Sequence, residues 1–293
     1  TQTVAFNTNK ETKTIEINVE ETQTGSFNVG FSVGSLDGIN FLTGLKEKNI
    51  NGTGRSLEFL INTNENNKAF TLSTTEKFIL NNKINHKYAA QYKENDFSKS
   101  KSYKLNTLDL DTSLSYLFSD NLYHTIGIGY QLKDYIVTNS STVSQSVSRS
   151  SGASISFNLN NDFLLNTLNS FIKPSNGNYL LFSNTIQSPS SSSNGYFKNT
   201  ITFKKFIKNR NNIYSLQTRI GNIFSLNNSE ILSDDKFSLG GKWLRGFDNY
   251  GAGPRNSITS YVGGNNLLAA KFDFSKPLTL SDQNPIYLNL FND

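Results

Sequence analysis

The chain contains no cysteine and no methionine, one tryptophan and two histidines. Without thiols, neither a disulfide framework nor a thiolate metal site can form. His86 and His124 have no second histidine or carboxylate at metal-ligand spacing, so both read as incidental strand or surface residues. No run approaches the roughly 18 apolar residues that a membrane-crossing helix needs. Nucleophile elbows, phosphate loops and metalloprotease signatures are also missing, so neither a catalytic residue nor a cofactor is expected. The net charge of +5 is spread through loops and strand ends. That reads as a solvated surface, and no nucleic-acid partner is expected. No signal peptide is recognisable, and both ends fall in strand-like text, "TQTVAF" and "NLFND". We therefore expect a piece of a longer protein.

What is present is aromatic and periodic. Aromatic residues make up 12% of the chain, with 22 Phe and 13 Tyr, a composition foreign to disordered segments. Apolar residues recur with period two. Phe27, Val29, Phe31 and Val33 alternate with Ser26, Asn28, Gly30 and Ser32. In "LDLDTSLSYLF" Leu108, Leu110, Leu114, Tyr116 and Phe118 oppose Asp109, Asp111, Ser113 and Ser115. In "HTIGIGYQL" Ile126, Ile128, Tyr130 and Leu132 oppose Thr125, Gly127, Gly129 and Gln131.

Turn chemistry punctuates these runs: "SLDG", "NENN", "PSNG", "SPSSSSNG" and "KNRNN". The pattern predicts strands near 25–34, 38–48, 54–63, 68–78, 84–94, 103–118, 122–138, 148–160, 177–188, 196–207, 212–225, 262–276 and 285–293, with no helix among them. Two all-β architectures fit: a soluble sandwich or solenoid, and an antiparallel transmembrane β-barrel. The runs are long, nearer the 9–11 residues of a membrane strand than the usual 5–6. Phe78, Tyr116, Phe118, Tyr130, Tyr135, Tyr179, Tyr196 and Phe197 lie near strand ends, as an interfacial aromatic girdle requires.

The densest segment is "KFSLGGKWLRGFDNYGAGPR", followed by "VGGNNLLAAKFDFSKPL". It resembles the BamA-like family of outer-membrane β-barrel assembly factors, whose superfamily also includes organellar import pores and two-partner-secretion transporters. In that superfamily a loop with a [V/I]-R-G-[F/Y] motif folds back into the barrel. The motif here is Leu244, Arg245, Gly246 and Phe247, with Gly253 and Pro254 following. "IEINVEETQTGSFNVGFSVGSLDGINFLTGLKEKNINGTGRSLEF" is similar to the end of the last periplasmic POTRA domain entering the first strands, and "LNTLNSFIKPSNGNYL" to a periplasmic turn.

The resemblance implies a 16-stranded barrel, of which about 12 to 13 strands are present and the C-terminal ones are missing. Residues 1–23 would end a POTRA domain, and 24–293 would be barrel, with an inward-folded loop at 226–261. It also implies an insertase of outer-membrane proteins, with unfolded outer-membrane proteins, assembly-machinery lipoproteins and outer-membrane lipid as partners. A two-partner-secretion transporter, a passive porin and a soluble β-rich adhesin stand as alternatives.

Period two puts Leu268, Ala270, Phe272 and Phe274 on one face and Asp273 with Lys271 on the other. It likewise separates Ile286, Leu288 and Leu290 from Tyr287, Asn289 and Asp293. Asp273 and Asp293 would thus face the lumen, as partners for Arg245, because a desolvated guanidinium needs carboxylates. Gly246 would permit a close approach or a positive φ, and Phe247 would anchor the loop. The family resemblance makes strand 25–34 a gate, with Gly25, Phe27, Gly30, Phe31 and Gly34 forming a weak edge open to strand addition.

Overall fold

A computed structural model describes residues 3–9, 12–18, 22–34, 38–79, 83–189, 194–228, 230–256, 261–278 and 286–293. Strands β1 (Thr3–Asn9) and β2 (Thr12–Asn18) pair antiparallel in a two-stranded sheet. The rest of the strands form one 13-stranded sheet in chain order. They are β3 (Gly25–Gly34), β4 (Gly38–Glu47), β5 (Arg55–Thr63), β6 (Asn67–Phe78), β7 (Ile84–Asp96), β8 (Tyr103–Ser119), β9 (Leu122–Val137), β10 (Gly152–Asn166), β11 (Gly177–Gln187), β12 (Tyr196–Asn209), β13 (Asn212–Ser225), β14 (Asn266–Pro277) and β15 (Tyr287–Asn292). Every neighbouring pair is antiparallel, and β3 and β15 are the two edges among the described residues.

Most strands match their alternating runs closely; two do not. The segment expected at 148–160 runs from Gly152 to Asn166, because Gln145–Arg149 coils into a one-turn helix while Asn161–Leu165 is paired on both sides. The strand expected to begin at 262 begins at Asn266, its first residues belonging to the preceding loop. Two further helical turns, Ile50–Gly52 and Ser98–Lys101, also sit in connections. No helix of the described residues is long and apolar enough to cross a membrane.

The sheet is polar within and apolar outside. On β8, Tyr103, Leu105, Thr107 and Asp109 are buried, while Leu110, Leu114 and Phe118 are exposed. The inner face continues with buried Ser73, Lys133, Ser154, Ser156 and Ser215; the outer with exposed Ile128, Phe157, Ile220 and Leu268. Each large apolar side chain left in water forgoes about 1.5–3 kcal/mol of burial. A full row on every strand is stable only against lipid, as in a transmembrane β-barrel and opposite to a soluble sandwich.

Parity also corrects the aromatic girdle. Tyr116, Phe118, Tyr130 and Phe197 share the outer face, but Tyr135 is 1% exposed and Tyr196 7% exposed on the inner one. Tyr179 points inward as well, under the Lys204 ammonium. The Phe78 side chain lies outside the described residues.

The sheet wraps round the loop between β13 and β14. That loop meets side chains of β8, β9 and β12 on one arc and of β14 on another. Buried apolar residues collect where it docks: Tyr103, Leu105, Tyr135, Val143, Val147 and Leu232 in one cluster, and Tyr196, Ile223, Ile231, Phe237, Leu267 and Ala269 in the other.

Candidate functional site

Arg245 lies on this inward loop and is held by two carboxylates. Its Nε donates to Asp293 Oδ2 at 2.7 Å and its backbone N–H to the same oxygen at 2.8 Å, while Nη2 donates to Oδ1. Nη1 donates to Asp273 Oδ1 at 2.5 Å, and Asp273 Oδ2 accepts from Ser215 Oγ at 3.1 Å. The guanidinium carbon lies 3.8 Å from the centre of the Phe291 ring. A planar fork with five donors suits such a site, since it can serve two carboxylates and a ring face at once. Alternation on β14 turns Asp273 inward while Phe272 stays exposed.

The other motif residues take different places. Gly246 has φ +87° with nothing within 4 Å of where a Cβ would stand, so the left-handed backbone, not a close approach, calls for glycine. Gly253 also has positive φ, and the Pro254 carbonyl accepts the Val262 N–H at 3.0 Å. Phe247 is 49% exposed, so the anchoring expected of it falls to other side chains. Phe237 is 6% exposed, with Leu239 and Trp243 packed against its cluster. Its ring sits on Gly221 of β13, where a Cβ would come within 2.5 Å of the ring Cζ. Trp243 packs the loop to the wall, with the Arg219 guanidinium 5.9 Å from its ring centre.

A second clamp grips the entering limb of the loop. Lys133 Nζ on β9 donates to Asp234 Oδ2 at 2.7 Å and Asp235 Oδ1 at 2.8 Å. Tyr135 OH donates to Asp234 Oδ1 at 2.8 Å, and Tyr196 OH to Asp235 Oδ1 at 3.2 Å. Two more lysines hold main-chain carbonyls: Lys101 Nζ to Ser233 O at 2.7 Å and Lys198 Nζ to Asp235 O at 2.5 Å. The Tyr103 hydroxyl meets Ser233 Oγ at 3.1 Å.

Electrostatics follow from this burial. Burial pushes Asp234 up, but the Lys133 charge and the hydrogen bonds from Lys133 and Tyr135 outweigh it, leaving its carboxyl below the usual range. Asp235 is raised by burial and by Asp234 beside it, against the pull of Lys133. Lys101 is pushed down to about 8 by burial, although Asp234 and Asp235 oppose the shift. Sequence reading missed this cluster. Its traces were the adjacent acids of "SDDKF" and the inward parity of Lys133 and Lys198, but their union depends on how the loop folds.

The gate residues Gly25, Phe27, Gly30, Phe31 and Gly34 lie on β3, which pairs with β4 alone among the described residues. Phe27 and Phe31 are 69% and 75% exposed. His86 bonds the Thr112 hydroxyl at 2.8 Å, and His124 bonds Asn161 Oδ1 at 2.7 Å. Among the described residues no group of three or more His, Cys, Asp or Glu is placed to hold a metal ion.

Together these features define a class: a transmembrane β-barrel wall, lipid-facing outside, whose lumen is entered by a loop pinned through an Arg-Gly-Phe motif. An Omp85 superfamily domain matches residues 49–293, and the chain belongs to that superfamily, whose barrels lie in the bacterial outer membrane. Over 280 residues, or 94% of the chain, it is 26% identical to outer membrane protein assembly factor BamA of Neorickettsia risticii (strain Illinois), and it spans 37% of that protein's length. The crystal structure of BamA from Haemophilus ducreyi lacking POTRA domains 1-3 superposes with a TM-score of 0.86 at 22% identity, covering 99% of this chain and 61% of that one. CdiB from Acinetobacter baumannii superposes at 0.56 with 11% identity, over 99% of this chain and 55% of that one. Both structural likenesses are of fold.

Proposed function

We propose that the chain is the barrel of an outer-membrane insertase, which folds β-barrel proteins into the bilayer by strand addition at a labile edge. The observation that carries this reading is the Arg245 latch, which ties the inward loop to β14 and to Asp293 beside β15. One side of the wall is thereby braced. The opposite edge, β3, pairs with β4 alone among the described residues and carries glycines at 25, 30 and 34, so on this reading an incoming strand extends the sheet there. The work is an exchange of main-chain hydrogen bonds, with no nucleotide and no covalent chemistry. The name of the Neorickettsia relative supports the same reading. On it the partners are unfolded outer-membrane proteins, lipoproteins of the assembly machinery and outer-membrane lipid.

The test is Arg245→Ala in the full-length protein, followed by the amount of folded porin in the outer membrane. Porin should fall while the variant itself remains in the membrane. Undiminished porin with loss of one exported protein would overturn the insertase reading in favour of a dedicated secretion transporter.

A further inference from the structure

The lipid-facing side of the wall carries a polar row that the insertase reading does not use. Asn161 of β10, Asn184 of β11, Asn199 of β12 and Asn222 of β13 are cross-strand partners in register. Their amides form a chain: Asn161 Nδ2 donates to Asn184 Oδ1 at 3.1 Å, Asn184 Nδ2 to Asn199 Oδ1, and Asn199 Nδ2 to Asn222 Oδ1 at 2.8 Å. His124 of β9 closes one end on Asn161 Oδ1, its ring stacked 4.2 Å from that of Phe163. Asn266 of β14 stands opposite Asn222 at the other end.

The row lies inside the apolar belt. On one side of it runs Leu159, Ile186, Phe197 and Phe224; on the other runs Phe163, Phe182, Ile201 and Ile220. Leu159, Ile186 and Phe224 are exposed above it, as are Phe163, Ile201 and Ile220 below.

Apolar rows alone cannot choose among registers. A one-residue slip would turn the polar face to lipid, but a two-residue slip sets apolar against apolar and leaves both faces intact. Turns restrain only some pairs: β12 and β13 are joined by residues 210–211, whereas 188–195 separate β11 from β12 and 226–265 separate β13 from β14. An amide row responds differently. Any two-residue slip between neighbours among β10 to β13 places the asparagines of that pair opposite Phe, Ile or Leu, and lipid offers no replacement hydrogen bond.

We infer that the asparagine row is a register lock, which sets the heights of the strands whose inner faces carry both clamps. β9 bears Lys133 and Tyr135, β12 bears Tyr196 and Lys198, and β13 bears Ser215 beside Asp273. A two-residue slip of β12 on β11 would move Lys198 by about 6.6 Å along the strand, out of reach of the Asp235 carbonyl. These are positioning residues. They rest on the strand pairing and not on the insertase reading.

Register can be read by cysteine cross-linking, because the chain has no cysteine of its own. Leu180 and Phe203 are partners in the observed register, and a two-residue slip sets Leu180 opposite Ile201. In the full-length protein, Leu180→Cys with Phe203→Cys should cross-link, and Leu180→Cys with Ile201→Cys should not. With Asn199→Leu, the slipped pair should appear alongside the native one, whereas Asn199→Gln should keep the native pair alone. If Asn199→Leu fails to fold because it orphans Asn184 and Asn222, the quadruple leucine variant at 161, 184, 199 and 222 removes all four amides of the hydrogen-bonded chain together and serves instead. The slipped cross-link in that variant supports the lock; native-only cross-linking overturns it.

Discussion

Removing Arg245 should undock the loop, at a cost set mostly by what is left behind. Its side chain makes hydrogen bonds to both Asp273 and Asp293. Charge-assisted bonds contribute about 1.5–3 kcal/mol each, and a pair at 4 Å in an effective dielectric near 20 attracts by about 4 kcal/mol. Exposure of 30% at Arg245 discounts that sum, but Asp293 is only 4% exposed and loses its counter-charge outright. We expect Arg245→Ala to weaken loop docking by about 2–4 kcal/mol. Asp293→Asn should cost less, since an amide oxygen still accepts from the Arg245 backbone N–H. The double variant should fall short of the summed losses by about 1–3 kcal/mol, because removing the carboxylate removes the orphan. Arg245→Lys should lie between, as one ammonium cannot span two carboxylates. Urea-dependent protease cleavage within 226–261 of the full-length protein in detergent reads the docking equilibrium. Strictly additive losses, or unchanged protection in Arg245→Ala, would refute the reasoning.

Three further outcomes follow from the second clamp and the loop's seat. Lys133→Met strands two buried carboxylates and should cost about 3–5 kcal/mol, more than Asp234→Asn; thermal unfolding of the two variants compares them. Lys101, about 8 when docked against an ordinary 10.5, faces Asp234, Asp235 and Lys198. A lysine whose docked pKa is depressed binds its proton less tightly than the free side chain, so docking is weaker below the docked value. Docking should therefore strengthen as pH rises from about 8 towards 9.5, by up to about 1.4 kcal/mol per unit, and Lys101→Met should remove that slope from the protease assay. Gly221→Ala should drive the Phe237 ring off the wall, yet add nothing in a Phe237→Ala background, where the ring it would strike is gone. A comparison of loop protection across the four proteins decides it.

The strands and the inward faces of Asp273 and Asp293 were legible because they depend on period two, whereas the inward-folded loop that brings Arg245 to them came from the family resemblance. Once Phe272 faces lipid, Asp273 faces the lumen, whatever the rest of the fold does. The same parity placed Tyr135 beside Lys133 on the inner face, but proximity to a strand end suggested a girdle instead; face outranks height. The second clamp was not legible, because its carboxylates sit in a loop and its lysines on strands β9 and β12 and in the turn at Ser98–Lys101, far away in the chain. Lys133 and Asp235 are 102 positions apart. The asparagine row was hidden for another reason: each strand supplies one ordinary asparagine, and only the register between strands makes them a chain. Gly221 needed the loop's path, since its reason to be glycine is a ring from another segment.

The two clamps have opposite polarity, and that fixes how the loop lies. At the first, the loop brings a cation, Arg245, to wall carboxylates on β14 and beyond β15; at the second, it brings Asp234 and Asp235 to wall lysines. A loop docked in reverse would set Arg245 against Lys133 and the two aspartates against Asp273, both like-charge contacts in partly dry surroundings. Such contacts cost free energy where the correct pairs gain it, the more so where burial limits screening by water. The arrangement therefore selects one orientation even though each clamp alone could be met by other charged segments. It also joins two arcs of the wall: β8, β9 and β12 through the entering limb, β14 and the residue after β15 through the motif. A strut anchored at both ends resists movement between those arcs, and among the described residues neither clamp touches β3 or β4.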